Sequence, residues 1–275
     1  MLEFFRYTFF VNALAGVALI SVCAAIIGTY IITRRLVAIS GGITHACFGG
    51  LGLGYFLGLS PVFMAGVFAI GSAIGVEWMS GRFRLREDSA IAVVWALGMA
   101  LGVLFVFMTP GYVPELNSFL FGNILTVTRA DLMAFGIFTG VLLFFFTWQY
   151  RNIVACAFDR DFARVIGLPV RFITYSMTVL VAICIVLTIR LVGIMLLMSM
   201  LSLPMMTAEV FYSRFRPIML LSVVISLVAS LTGLFVSAAV DVPCSAIIVL
   251  IMAGIFIAAK LCHSLVNVKK CDNIH

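Results

Sequence analysis

Long apolar runs make up most of this chain, and short segments with arginines, prolines and acidic residues separate them. A helix that crosses a bilayer needs about 20 mostly apolar residues, so runs of this length predict about nine transmembrane helices. They lie roughly at 8–32, 36–58, 61–79, 88–108, 129–148, 171–190, 191–212, 217–239 and 243–264. The boundary at 190/191 is the weakest, and a re-entrant pair there would leave about eight spans.

Prolines agree with several of these boundaries. Pro61, Pro169, Pro217 and Pro243 stand at or just before the start of a run, where a missing backbone N–H costs least. Pro204 lies inside an expected span, and it predicts a kink or a broken helix there.

Composition supports the same class of protein. The chain is 64% hydrophobic and 10% charged, with a mean hydropathy of +1.25, whereas a soluble domain carries about 25% charged residues. The net charge of +6 does not indicate a nucleic-acid partner, because the charges form short clusters between apolar runs. Placing Arg34 and Arg35 in the cytoplasm puts most basic clusters on that side, which predicts an outer N-terminus and a cytoplasmic C-terminus.

The second run holds an unexpected polar group, His45. Small residues recur there every fourth position and predict a smooth ridge for close helix packing: Gly42, Ala46, Gly50, Gly54 and Gly58. His45 lies on the adjoining stripe with Gly41 and Gly49. An ionisable group at membrane depth typically faces a cavity, a partner or a transport path; the alternative is a packed histidine bonded to a carbonyl.

Acidic residues near the other runs are few. Glu209 is expected near the cytoplasmic end of a span, where it could pair with Arg214. Asp241 is expected at an outer helix end, either as a cap or as part of the outer mouth of a path. Glu77 and Asp131 are interpreted as interfacial.

The loop 155–169 predicts a short helix with its own boundaries. Asp159 can cap its start, Gly167 suits the left-handed position at its end, and Pro169 prevents continuation. One face is apolar and contains Phe158, Phe162, Val165 and Ile166. Such a helix could lie flat on the membrane or dock into a groove on a soluble partner. The chain has no GxxxxGK loop, so it is not itself a P-loop ATPase.

Taken together, these segments resemble the permease subunit of the metal-importing ABC transporters, the manganese/zinc/iron (ABC-3) family. The resemblance covers nearly the whole chain, and the order and spacing of its fragments are specific. The fragments are Arg34–Ser40 with Thr44–Ala46, Arg86–Ile91, Leu120–Leu125, Phe158–Pro169, Leu203–Ala208 and Asp241–Ser245.

The resemblance implies one all-α permease domain over residues 1–275, of the type II importer kind, in the bacterial cytoplasmic (inner) membrane. It also implies a homodimer with the path at its interface, cytoplasmic ATPase subunits, and an extracytoplasmic metal-binding protein. The chain would then be a transport subunit without a cofactor or enzymatic activity, and Zn²⁺, Mn²⁺ or Fe²⁺ would be its cargo. The loop 155–169 would be the coupling helix, with ATPase contacts from Phe158, Asp159, Asp161, Phe162, Arg164 and Gly167.

The resemblance also implies a metal site at His45. Family members typically carry Ser-Asp-x-x-x-His where this chain reads Ser40-Gly41-Gly42-Ile43-Thr44-His45, so Gly41 replaces the acid. His45 could act with its symmetry mate or borrow an acid such as Asp241. A two-imidazole site favours Zn²⁺ or Fe²⁺ over Mn²⁺, which prefers carboxylate oxygen.

Three other functions remain open. A permease for a metal chelate such as haem, siderophore or cobalamin needs a wide cavity, whereas the glycine ridge indicates close packing. An ion-coupled secondary carrier should show internal repeats and paired midplane acids, and neither is clear in the sequence. A membrane enzyme should show a catalytic cluster such as HExxH, and the sequence has none.

Overall fold

The computed structural model describes residues 8–83, 85–110, 122, 127–240 and 242–272. Within these ranges the regular structure is all helical, which confirms the predicted all-α class. The helices are α1 (Thr8–Thr33), α2 (Val37–Leu57), α3 (Pro61–Phe83), α4 (Glu87–Met108), α5 (Arg129–Trp148), α6 (Tyr150–Phe158), α7 (Arg160–Val165), α8 (Val170–Met200), α9 (Leu203–Glu209), α10 (Phe215–Val240) and α11 (Cys244–Asp272).

The described residues contain 8 helical segments that are long and apolar enough to cross a membrane. A multi-pass membrane protein is therefore confirmed, and the count of eight candidate segments is the lower of the two numbers that the sequence left open. The difference lies in the two spans expected at 171–190 and 191–212, which form one apolar segment of 40 residues, Val170–Glu209. The orientation of the termini across the membrane stays a prediction.

This long segment bends sharply at Gly193, close to the expected boundary at 190/191. Gly193 has φ 79° and ψ 171°, a conformation that residues with a side chain rarely adopt. Before the bend, Arg190 Nη1 lies 3.0 Å from Asp131 Oδ1 at the start of α5. After it, Met198 packs against Gly41 near the start of α2, so the chain turns back along α2.

The helix stops again before Pro204, as the sequence predicted. Ser202 leaves helical geometry with φ −125° and ψ −56°, and α9 begins with Pro204 in its first turn. A proline in the first turn removes an N–H that would have had no partner within the helix. The result is a short helix, α9, that packs against α10 and α11.

The central helix of the bundle is α2, which packs against α3, α4 and α8. Its contact with α4 is backbone to backbone, because a Cβ built on Gly52 would lie 2.5 Å from the Gly102 carbonyl oxygen. A Cβ on Gly98 would overlap the backbone of Ala46.

On the predicted ridge itself, a Cβ on Gly50 would overlap the Met64 carbonyl oxygen of α3, and one on Gly54 would lie 2.7 Å from Pro61 Cα. A Cβ on Gly58 would meet nothing within 4 Å. The predicted close packing is therefore confirmed along the ridge except at Gly58.

We predict that Gly98→Ala lowers the free energy of unfolding by about 1–3 kcal/mol, because overpacking forces the two backbones apart. Gly140→Ala is the matched control, since a Cβ there meets nothing within 4 Å. Alanine also favours a helix by up to about 1 kcal/mol over glycine. Thermal unfolding of the detergent-solubilised variants measures both effects. A Gly98→Ala protein as stable as its parent contradicts the packing argument.

Candidate metal site and coupling segment

His45 lies on α2 and is covered by an aromatic residue of α4. Its imidazole stacks on the Trp95 ring with centroids 4.4 Å apart and planes at 10°. Phe48 lies 6.0 Å away on its own helix. The His45 Nδ1 atom is buried and has no hydrogen-bond partner among the described residues. A packed histidine bonded through Nδ1 to a carbonyl, one of the two interpretations from sequence, is therefore not found.

Trp95 also fills the space beside Gly41, the position where the sequence resemblance implies an acid in other family members. A Cβ built on Gly41 would lie 3.3 Å from Trp95 Cζ3 and 3.1 Å from Met198 Cε. A longer side chain at position 41 would therefore displace the indole or the methionine. One tryptophan thus covers two successive turns of α2, at Gly41 and at His45.

The described residues contain no group of three or more His, Cys, Asp and Glu side chains that could hold a metal ion. Asp241, the acid that we considered as a partner for His45, lies outside the described residues. Further ligands to an ion at His45 would therefore come from a second copy of the chain, from water or from residues outside that part of the structure.

Thr44 and Cys47 lie on a different face of α2 from His45. They line a cavity of about 20 Å³ with residues of α3 and α8, including Val186 and Ile189, which is room for about one water molecule. Cys47 Sγ donates to the Ile43 carbonyl oxygen at 3.1 Å. This placement keeps both side chains away from the imidazole.

Glu209 does not form the ion pair considered from sequence. Its side chain is exposed at the end of α9, and no salt bridge joins it to Arg214, although the structure describes both residues. Nothing in the described part connects Glu209 to His45.

The loop 155–169 forms the short helix that the sequence predicted. Asp159 Oδ1 accepts hydrogen bonds from the N–H groups of Asp161 at 2.9 Å and Phe162 at 3.0 Å. Gly167 has φ 79°, and the Leu168 N–H donates to the Ala163 carbonyl oxygen at 3.0 Å. These contacts close both ends of α7.

The apolar face of this segment is largely exposed in the described part of the chain. Its four apolar side chains are all more than half exposed: Phe158 61%, Phe162 58%, Val165 86% and Ile166 51%. A groove of about 490 Å³ begins at Phe158 and continues along Tyr150, Val154 and the chain at 213–217. Arg164 Nη1 pairs with Asp161 Oδ1 at 2.8 Å on the polar side, where both are exposed.

Sequence reasoning missed a cluster of buried charges beside this segment. Arg34, Glu77, Glu87 and Arg160 form four ion pairs with each other, although Glu77 had been interpreted as interfacial. Each residue lies in or beside a helix end expected on the cytoplasmic side. That shared position was the signal available in the sequence.

Comparison with known proteins is consistent with this architecture. The model of the ABC 3 transport family matches residues 6–263. A Chlamydia pneumoniae protein named "Probable metal transport system membrane protein" is 38% identical over 248 residues, 88% of this chain and 84% of its own length. The manganese transport system membrane protein MntC of Halalkalibacterium halodurans is 29% identical over 260 residues, 94% of this chain and 88% of its own.

A solved structure agrees in three dimensions. PsaBC from Streptococcus pneumoniae, in complex with a Fab, superposes with a TM-score of 0.80 at 28% identity. The match covers 94% of this chain and 95% of that one. The resemblance inferred from the sequence is confirmed, as is the multi-pass membrane localisation. This chain belongs to the ABC 3 transport family of metal transporter permeases.

Proposed function

We propose that this chain is the membrane permease of an ATP-driven importer of divalent transition metal ions, and that His45 lies on the ion path. The observation that carries the proposal is an imidazole at membrane depth whose buried Nδ1 has no hydrogen-bond partner among the described residues. A ligand nitrogen that is not committed to the protein can bind a passing ion. The names of the metal transport relatives support the same substrate class.

The site would bind its ion weakly, which suits transport because a conducting site must also release. We propose that two permease copies face each other and that each contributes one His45, with Asp241 at the outer mouth of the path. Without a carboxylate at position 41, imidazole nitrogen dominates the ligand set. This favours Zn²⁺ or Fe²⁺ over Mn²⁺, even though one relative is named for manganese.

The energy would come from separate ATPase subunits. The chain carries no P-loop of its own, and the exposed apolar face of α7 and its flanks has the character of a helix that docks into a groove. We therefore assign Phe158, Phe162 and their neighbours to the ATPase contact. An extracytoplasmic metal-binding protein would deliver the ion on the other side.

We predict that His45→Ala lowers metal uptake at least about tenfold, the smaller of the effects typical for lost metal-site contacts. Uptake of radioactive Zn²⁺ into proteoliposomes that contain the permease and its ATPase measures this. His263→Ala is the control, because it removes the other described histidine from a site far along the chain. Uptake at the parent rate by His45→Ala contradicts a role for this imidazole.

Transport of haem or a siderophore by the parent protein would indicate a permease for metal chelates. Metal uptake without ATP would indicate an ion-coupled secondary carrier.

We predict that the double variant Gly41→Asp with Trp95→Ala shifts selectivity toward Mn²⁺, because it adds a carboxylate and removes the ring that fills its place. The ratio of Mn²⁺ to Zn²⁺ uptake should rise at least about tenfold. Trp95→Ala alone is the control for loss of the indole. An unchanged ratio in the double variant would show that position 41 does not contact the ion.

We predict that Phe162→Ala weakens ATPase binding by about 30-fold, the effect of losing an aromatic anchor residue at a protein interface. Stability should not change, because Phe162 is 58% exposed. The control is Phe107→Ala, because Phe107 is 86% exposed and lies near the C-terminal end of α4, at the end of that helix away from α7. Titration of the labelled ATPase onto permease in nanodiscs gives the affinity. Equal binding by all three proteins would assign the apolar face to the membrane surface instead.

A further inference from the structure

The buried charges beside α7 form a closed ring of alternating sign, which we call the charge ring: Arg34, Glu77, Arg160 and Glu87. Arg34 lies 3.1 Å from Glu77 Oε1 and 3.0 Å from Glu87 Oε1. Arg160 lies 3.2 Å from Glu77 Oε2 and also contacts Glu87 Oε1. Each carboxylate therefore binds both guanidinium groups, and the ring carries no net charge.

The turn after α1 places Arg34 in this ring. Arg35 adopts a left-handed conformation with φ 58°, and the Leu36 N–H donates to the Ile31 carbonyl oxygen at 2.9 Å. This pattern ends a helix tightly. The side chain of Arg34 is 4% exposed, and its Nη1 also donates to the Tyr30 hydroxyl at 2.9 Å.

The other members of the ring bring three further helices together. Glu77 belongs to α3 and accepts a hydrogen bond from Thr178 of α8 at 3.0 Å. Glu87 is the first residue of α4, and Arg160 is the first residue of α7. Through Arg160, the coupling segment is therefore bonded directly to the start of α4.

The ring is buried enough to act as a rigid link. The side chains of Glu77, Glu87 and Arg160 are 6%, 23% and 25% exposed. Charges in such surroundings are weakly screened, and removing one partner leaves an uncompensated charge. The ring therefore resists opening when α7 is displaced.

From Glu87, α4 leads to the candidate metal site. Trp95 lies about two turns further along α4, about 12 Å at a rise of 1.5 Å per residue, and stacks on His45. At its other end, the link reaches the ATPase-facing surface, because Phe162 lies on α7 just after Arg160. A continuous structural path thus runs from Phe162 through the ring to Trp95.

We propose that the charge ring positions α4 in response to the coupling segment, so that movement of α7 changes how Trp95 covers His45. This proposal rests on the proposed function, since it takes the ATPase as the source of the movement. Arg160 and Glu87 are positioning residues in this scheme, because neither contacts the ion. The ring would thereby make access to His45 depend on the state of the ATPase.

The test compares Arg160→Gln, the double variant Arg160→Gln with Glu87→Gln, and the control Arg151→Gln, all in the full permease with its ATPase. Arg151 is exposed and takes part in none of the ion pairs between described residues. The two measurements are Zn²⁺ transported per ATP hydrolysed and the thermal unfolding midpoint. The single variant leaves a carboxylate undercompensated, whereas the double variant restores neutrality around Arg34 and Glu77.

We expect Zn²⁺ transported per ATP to fall at least about fivefold in both the single and the double variant, the lower range for coupling between sites. The unfolding midpoint should fall in the single variant and recover in the double one. Recovery of both quantities together would show that the ring only stabilises the fold. A parent-like transport ratio in Arg160→Gln would also overturn the proposal.

A fluorescence measurement separates failure of this proposal from failure of the proposed function. The chain has 3 tryptophans, so replacing Trp78 and Trp148 by phenylalanine leaves Trp95 as the only indole. Binding of the ATPase should change Trp95 emission, and Arg160→Gln should abolish that change, whatever the cargo is. An equal change with and without Arg160, or no change in the parent when titration shows that the ATPase is bound, overturns the link. Loss of Zn²⁺ transport in the parent alone would instead overturn the proposed function.

Discussion

The backbones of α2 and α4 touch without intervening side chains, and the candidate metal site depends on this contact. Glycine makes it possible at Gly52 and Gly102, and also at Gly98 opposite Ala46. In a bilayer, lipid tails are as apolar as the helix surfaces, so close van der Waals contact replaces the hydrophobic effect as the source of association. The short distance between the helices lets Trp95 reach across α2 and cover both Gly41 and His45.

The same geometry couples the residues at positions 41 and 95. A carboxylate at position 41 and an indole at position 95 compete for one space, since Trp95 lies within 3.3 Å of where a Cβ would stand. Glycine and tryptophan therefore fit each other as a pair. In the proposed function, the His45 imidazole would then be the ligand from this face of α2, which favours Zn²⁺ or Fe²⁺ over Mn²⁺.

Around α7, the charged side chains are paired within the chain, whereas the apolar side chains are exposed. The four members of the charge ring pair with one another within the chain, and removing one partner of a buried ion pair typically costs about 3–5 kcal/mol. The apolar face of the same segment is unsatisfied, with Val165 86% exposed. A segment that is held firmly on one side and exposes apolar side chains on the other is suited to receive a partner and to pass its movement on.

Sequence alone determined the features that depend on residues close together along the chain, namely the positions and ends of helices. Apolar run lengths located the spans, Pro204 located a helix break, and Asp159 and Gly167 located the ends of α7, because each acts within one or two turns. The sequence predicted a span boundary at 190/191, whereas the helix bends at Gly193. Apolar residues continue through this region, and composition does not indicate which residue adopts a positive φ. Arg214 was considered as a partner for Glu209 because the two are close along the chain, and no salt bridge joins them in the structure.

Only the tertiary structure decided the contacts between residues far apart in the chain. Glu77 looked interfacial, yet it binds arginines from the end of α1 and from α7. His45 was identified from its chemistry, but its cover, Trp95, and the conflict between Trp95 and an acid at position 41 could not be deduced. The sequence therefore determined which groups are costly to bury in a membrane. Helix packing determined which partners those groups meet, because that choice depends on distances between helices that no local pattern encodes.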